Sequence, residues 1–310
     1  MSDRLISIVI PLYNSRQILP DLVKRLLEYS SSRIEENYEF ILVDDCSPDN
    51  TWESIKLITN EYPEFRGIKF TRNFGQQPAT MAGLSMSKGE LIITMDDDLQ
   101  HDPFDIPSLI EAYDKNKISH IVIAHLKNKQ TSLFKRVASN VYRYVIGVAL
   151  NKPKDLYLSA FRLLDRFAVD KMLSIKTAFP FLPALMFTIT RQVINVEIEH
   201  KRRHSGKSNY GIKKMITVSS RLMINNSTVL LDAIASVGII TSLLSLFIIM
   251  FVLLLKFFGI PIASGWLSTI TSIYLVGGLI LFSLGIIGKY LQRILIEVTN
   301  VPNYVIEELI

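Results

Sequence analysis

Short runs rich in Ile and Val alternate with amphipathic stretches through the first part of the chain. Leu5–Leu12 is nearly all apolar and predicts a buried strand. Pro11-Leu12-Tyr13-Asn14 ends it, and Ile18, Leu19, Leu22, Val23, Leu26 and Leu27 then recur on one face of a helix. A second strand, Phe40–Val43, runs into Asp44-Asp45-Cys46-Ser47-Pro48-Asp49-Asn50-Thr51, turn residues that also suit the cap of a helix over Trp52–Glu61. A third strand around Ile68–Phe70 leads through Thr71-Arg72-Asn73-Phe74-Gly75 to Pro78, which fits the first turn of a helix continuing past Met81 and Leu84. Leu91–Met95 and His120–Ala124 predict a fourth and a fifth strand. Strand and helix alternate at βαβ spacing, so the expected fold is α/β, with a mostly parallel, doubly wound sheet. Ligands of such sheets bind beyond the carboxyl ends of the strands.

The later pattern is different. Lys127 to Pro180 is less regular, with a helix predicted over Ser132–Ala149 that carries Lys135, Arg136 and Arg143, while Met186–Val196 fits helix or strand. From His200 to Leu231 no acidic residue occurs, yet Lys201, Arg202, Arg203, Lys207, Lys213, Lys214 and Arg221 do. Gly211–Asn225 places Ile212, Met215, Ile216, Leu222 and Met223 at helical spacing, which reads as an interfacial amphipathic helix or as a solvated basic one. The uncharged stretch Ala233–Leu255 is long enough to span a bilayer, and Leu267–Gly288 is a second apolar stretch. A transmembrane hairpin follows, with the basic run before it and Lys289 and Arg293 after it on the cytosolic side. The apolar run at the N-terminus is too short for a secretory signal. The expected divisions are a cytosolic sheet domain over 1–209, interfacial helices over 210–231, the hairpin over 232–292 and a cytosolic tail over 293–310.

Composition agrees with that division. Of 310 residues 49% are hydrophobic, and the mean hydropathy of +0.27 is high for a purely soluble chain. The single cysteine, Cys46, rules out an internal disulfide framework and a cysteine-based zinc site, and reads as a packing residue. No G-x-G-x-x-G and no G-x-x-x-x-G-K-[ST] occurs, which disfavours a dinucleotide-binding enzyme and a P-loop ATPase.

The chemistry concentrates after the fourth strand, at Asp96-Asp97-Asp98-Leu99-Gln100-His101. In an extended segment residues i and i+2 point the same way, so Asp96 and Asp98 can face one site while Asp97 turns from it. Carboxylates so close repel and raise each other's pKa, which a divalent cation relieves, and oxygen ligands suit Mg²⁺ or Mn²⁺. A bare triplet also reads as a solvated acidic loop. Its place on the same edge as Asp44 and Gly75 favours the metal site, with His101 a loop residue rather than a base.

Taken together, Ser7-Ile8-Val9-Ile10-Pro11-Leu12-Tyr13-Asn14, Val43–Thr51, Arg72-Asn73-Phe74-Gly75, Met95–Gln100 and Arg203-His204-Ser205-Gly206-Lys207-Ser208-Asn209-Tyr210 resemble successive signatures of one family. So does the tail from Gly288-Lys289-Tyr290-Leu291-Gln292-Arg293 to Pro302-Asn303-Tyr304. The chain is similar to inverting family 2 glycosyltransferases with the GT-A fold, and within them to the polyprenyl-phosphate group of dolichol-phosphate mannose synthase and bactoprenol glucosyltransferase. That resemblance implies a nucleotide-sugar pocket formed by Pro11, Tyr13, Asn14, Asp44, Asp45, Gly75, Asp96 and Asp97, with Asp44 meeting the base. It implies Mg²⁺ or Mn²⁺ on Asp96, Asp98 and Gln100. Asp98, Arg203 and Arg136 take the catalytic roles, and Arg202, Arg203, Lys207 and Ser208 meet the acceptor phosphate near the bilayer.

Three departures stand out. The family's usual Asp-Ala-Asp is Asp-Asp-Asp, and Asn209 replaces a lysine. Ser159-Ala160-Phe161-Arg162-Leu163 stands where G-D-F-R-L is common, so an acidic residue proposed as a base is missing. A sugar hydroxyl needs a general base; a phosphate monoester, with a second pKa of about 6, is already an anionic nucleophile. The expected activity is inverting sugar transfer from a UDP- or GDP-sugar to undecaprenyl phosphate, at the bacterial cytoplasmic membrane. Alternatives are transfer to a lipid-linked glycan hydroxyl, or a silent nucleotide-sugar-binding subunit. Implied partners are the donor, polyprenyl phosphate and membrane lipids, a second copy of the chain, and a lipid-linked-sugar flippase; nucleic acid is not among them. No Q-x-x-R-W segment occurs, which speaks against a processive synthase.

Overall fold

The nearly unbroken apolar run Leu5–Leu12 becomes the central strand β1, whose alternate residues serve two cores. Ile6, Ile8, Ile10 and Leu12 face one core and Val9 the other. The computed structural model describes residues 4–33, 36–116, 118–127, 147, 150, 152–153, 155–199, 229–258, 265–299 and 301–310. The chain forms two units, one of Met1–Asn140, Leu150–Tyr210 and Asn300–Ile310, the other of Val141–Ala149 and Gly211–Thr299.

In the first unit the order is β1 (Leu5–Leu12), α1 (Leu19–Ser31), β2 (Asn37–Asp44), α2 (Thr51–Glu61), β3 (Phe65–Phe70), α3 (Gln76–Met86) and β4 (Leu91–Thr94). Then come α4 (Ile106–Lys115), β5 (Ile121–Lys127), β6 (Arg162–Asp165), α5 (Arg166–Ser174), α6 (Leu182–Ile189) and β7 (Val193–Glu199). β8 (Ile306–Leu309) closes the chain. The eight strands lie in the order β7-β5-β6-β4-β1-β2-β3-β8. β1 pairs in parallel with β2 and β4, and β2 with β3, as the βαβ spacing predicts.

The sheet is nevertheless mixed, because β6 runs antiparallel between β4 and β5, and β8 runs antiparallel along β3. Four-residue β6 escapes sequence reading because it is buried on both faces and so has no alternation. The ambiguous stretch Met186–Val196 divides, its first part ending α6 and its last part opening β7. β8 is an edge strand specified by its neighbour. Trp52 Nε1 donates to Glu308 at 2.8 Å, Lys69 pairs with Glu307 at 3.1 Å, and Tyr304 stacks on Phe70 with centroids 5.3 Å apart.

Helices cover both faces. α1 buries Leu19, Leu22 and Leu26 completely on the first core, each contributing about 1.5–3 kcal/mol. α3 is buried along Ala79–Leu84, and its Gly83 sits where a Cβ would come within 2.2 Å of Val9 Cγ1. That close approach lets the later half of α3 press directly on β1.

The second unit contains α7 (Val229–Phe257) and α8 (Trp266–Val298). Among the described residues one stretch, Val276–Val298, 23 residues with mean hydropathy 1.6, is long and apolar enough to cross a bilayer. The predicted helices over Ser132–Ala149 and Gly211–Asn225 lie outside the described residues, save Gly147.

Gly83→Ala tests the α3 contact. Alanine favours helix by up to about 1 kcal/mol, but overpacking against the stiff Val9 side chain costs about 1–3 kcal/mol. The substitution is expected to lower the melting temperature; an unchanged or raised value would show that the sheet yields without strain.

Candidate functional site

Four loops leave the carboxyl ends of β1, β2, β3 and β4 on one edge of the sheet, and the backbone there is unusual. Among the described residues the non-glycine positions with positive φ are Asn14 (58°), Cys46 (56°), Asn50 (61°) and Leu99 (58°), and Gly75 has φ 98°. All five fall in these loops. Asparagine tolerates the left-handed region and glycine is indifferent to it, but at Cys46 and Leu99 it costs about 1–2 kcal/mol each. Strain of this kind collects where function over-determines the backbone.

The carboxylates hold the loops together. Asp44 is fully buried and accepts from Ser47 N–H at 3.2 Å; burial raises its pKa, and the Ser47 hydrogen bond opposes that rise. Asp45 accepts from Phe74 N–H at 2.6 Å and Gly75 N–H at 2.8 Å, joining the second loop to the start of α3. Its pKa is likewise raised by burial. Tyr13 stands half exposed beside Asn14, and Pro11 lies at the end of β1 opposite Val43.

Strand alternation does not reach the acidic triplet, because β4 ends at Thr94. Asp96 accepts from Gln76 Nε2 at 2.6 Å, and its own N–H donates to His101 Nδ1 at 3.0 Å. His101 is buried and stacked on Phe161, a brace of the loop with an accepting Nδ1. Asp98 accepts from Gln100 N–H at 3.1 Å, a turn that sets the two predicted ligands side by side in the chain. Arg25 from α1 grips buried Asp102 at 2.8 and 3.3 Å, fixing the far end of the loop.

Asp97 does not share the surroundings of its two neighbours. It turns inward, and Ser15 Oγ donates to it. Ser15 Oγ also accepts from Tyr13 N–H at 3.1 Å, so the first loop and the fourth are tied through one hydroxyl. Burial, with the charges of Asp96 and Asp98 adding to it, pushes the Asp97 pKa from 3.8 to about 6 despite the Ser15 bond. Ser15 and Gln76 escape sequence reading as site residues because their roles depend on contacts between loops distant in the chain, whereas His101 is the loop residue expected.

Among the described residues no three acidic, histidine or cysteine side chains form a ready-made cation cage. The donor set that the loop offers, Asp96, Asp98 and the Gln100 amide, is nevertheless all oxygen, which suits a hard divalent ion completed by ligand oxygens and water. Arg136, Arg202, Arg203, Lys207 and Ser208 lie outside the described residues.

The Asp97 shift has a definite sign. With the folded pKa near 6 and the unfolded value near 3.8, the folded state holds the extra proton between them. This residue's contribution to stability therefore falls as pH rises from about 4 to about 6 and is level above. Asp97→Asn keeps an acceptor for Ser15 and cannot ionise. Its melting temperature relative to wild type is expected to rise between pH 4.5 and pH 7.5; a constant difference would refute the buried ionisation.

Comparison with known proteins agrees with this architecture. Residues 7–173 match the model of Glycosyl transferase family 2. The undecaprenyl-phosphate 4-deoxy-4-formamido-L-arabinose transferase of Proteus mirabilis is 32% identical over 312 residues, covering 98% of this chain and 94% of the relative. The protein of the same name from Photorhabdus laumondii is 33% identical over 309 residues, with 98% and 94% covered. Among solved structures, glucosyl-3-phosphoglycerate synthase from Mycobacterium tuberculosis, in complex with Mn²⁺, UDP-glucose and phosphoglyceric acid, has a TM-score of 0.52 at 16% identity. It covers 71% of this chain and 78% of its own, and supports the GT-A fold. With the family's model spanning four strand-end loops and relatives matching nearly end to end, this chain belongs to glycosyl transferase family 2.

Proposed function

We propose that this glycosyltransferase moves a sugar from a nucleotide-diphospho-sugar to a polyprenyl phosphate, undecaprenyl phosphate in bacteria, at the cytoplasmic membrane. The observation that carries the reading is the end-to-end match to undecaprenyl-phosphate sugar transferases, which includes the C-terminal helices as well as the sheet unit. Val276–Val298 supplies an apolar helix long enough to reach the lipid acceptor. A second span over Ala233–Leu255, a cytosol-facing sheet unit and a homo-oligomeric assembly belong to the same proposal.

Tyr13, Pro11 and Asp44 hold the nucleotide, with Asp44 desolvated for a directional bond to the base. Asp96, Asp98 and Gln100 hold Mg²⁺ or Mn²⁺, which when bound neutralises charge on the donor diphosphate. The acceptor phosphate oxygen attacks C1 as the bond to the diphosphate breaks, so the anomeric centre inverts and nucleoside diphosphate leaves. Arg136, Arg202, Arg203, Lys207 and Ser208 screen the acceptor phosphate.

No side-chain base is needed, since the nucleophile is already ionised near neutral pH. The segment after the irregular stretch fits this economy. Ala160 presents a methyl group, and its carbonyl accepts from Thr94 Oγ1 at 2.7 Å. A hydroxyl acceptor has no carboxylate to turn to there.

The test uses the full chain in detergent or nanodiscs, with undecaprenyl phosphate and a panel of UDP- and GDP-sugars that includes a 4-deoxy-4-formamido-arabinose donor. A sugar-phospholipid is expected, abolished by EDTA and reduced at least ~100-fold by Asp98→Asn. Full turnover in EDTA would sink the metal assignment, and product only with a glycan hydroxyl acceptor would sink the acceptor.

A further inference from the structure

One cation on the described residues is hard to account for by packing alone. Arg162 is the first residue of β6, opposite Thr94 at the end of β4, and is only 5% exposed. It lies between β4, which leads into the acidic triplet, and α6. Its Nη1 donates to the thioether of Met186 at 3.2 Å and its Nε to the Ala160 carbonyl at 3.5 Å. Among the described residues it has no salt bridge, although a guanidinium carries five N–H donors. Burying a charge without a partner costs several kcal/mol. Burial pushes its pKa down to about 10, so it remains cationic at neutral pH, and Asp96 is the acid whose charge acts against that fall.

The surrounding contacts connect it to the donor site. Gln76 reaches Asp96, and neighbouring Gln77 accepts from Leu182 N–H at 2.9 Å, at the start of the helix that carries Met186. Arg162 is therefore paired with Thr94, two residues before Asp96, and its guanidinium lies against the helix whose Leu182 N–H meets Gln77, the neighbour of the residue that holds Asp96.

We propose that Arg162 is a positioning residue: a fixed internal counter-charge to the Asp96–Asp98 carboxylates that tempers their pull on the divalent cation and admits the anionic donor. Resting on the assignment of Asp96 and Asp98 as cation ligands, it adds a residue that touches neither cation nor substrate. Three carboxylates alone would make the loop strongly negative, favouring the metal but repelling a diphosphate that approaches before or with it. A charge built into the sheet offsets that repulsion without occupying space in the pocket. Arginine suits the position because its planar guanidinium can donate to the Met186 thioether and the Ala160 carbonyl at once while carrying the charge.

Arg162→Met separates this role from packing, since replacing a buried charge by an apolar side chain of similar length is often neutral or stabilising. Full-length wild type, Arg162→Met and Arg162→Lys are titrated with Mn²⁺ alone, without nucleotide, and then assayed for donor KM. The methionine variant is expected to bind Mn²⁺ roughly tenfold more tightly and to show a several-fold higher donor KM. The lysine variant, which keeps the charge, should stay close to wild type in both. Equal Mn²⁺ affinity in all three proteins would overturn the proposal and leave the metal assignment standing. If the methionine variant does not fold, a lysine variant with tenfold altered Mn²⁺ affinity would overturn it, and one matching wild type would support it. Wild type that binds no Mn²⁺ would overturn the metal assignment and the proposal together.

Discussion

Five carboxylates at the ends of β2 and β4 crowd one sheet edge, and the way each is satisfied determines how the loops are joined. Asp45 gives both oxygens to backbone N–H groups of Phe74 and Gly75. Asp96 takes the Gln76 amide, and Asp97 takes the Ser15 hydroxyl. Each of these bonds crosses from one loop to another. The electrostatic problem and the loop architecture therefore have one solution, in which negative charge is held close and each buried acceptor has a donor. The strained backbone at Cys46 and Leu99 persists because these cross-links leave the chain few other paths.

The scaffold beneath must be stiff enough to hold that arrangement. β1 packs a core on either side, and the missing side chain at Gly83 lets α3 press against Val9. The open edge at β3 is closed by the end of the chain itself, where β8 is anchored by Trp52, Lys69 and the Tyr304–Phe70 stack. An unpaired edge beside a loop that must stay in register would invite other strands. Covering it with the chain's own last residues also returns the polypeptide from its long helices to the sheet unit.

What could be read from residues follows the range of the interactions. Periodicity is local, so β1 to β5 and α1 to α3 were legible from apolar spacing and turn chemistry. β6 was not, because four residues buried on both faces show no pattern, and β8 was not, because its partner lies more than two hundred positions away in the chain. The same divide runs through the site. Asp44, Gly75 and the acidic triplet announce themselves as types in a motif, and their common edge follows from βαβ topology. The inward turn of Asp97 depends on where β4 stops, and the roles of Ser15 and Gln76 depend on which loop meets which.

The electrostatics of this edge also bear on the chemistry of the acceptor. Asp97 shows what happens to a further carboxylate placed here: burial and like charges push its pKa to about 6. A carboxylate raised in this way is a competent general base near neutral pH, but Asp97 is engaged by Ser15 Oγ, and the segment at Ala160 offers no carboxylate. A hydroxyl acceptor would therefore find no carboxylate at position 160 to take its proton. A phosphate monoester brings its own ionisation, and its second pKa of about 6 is set before it arrives. What it requires instead is cationic screening, and the residues proposed for that task are arginines and lysines near the bilayer rather than acids at the sheet edge. The missing carboxylate at Ala160 is then a simplification that the phosphate nucleophile makes possible, and Arg162 two residues on supplies charge of the opposite sign.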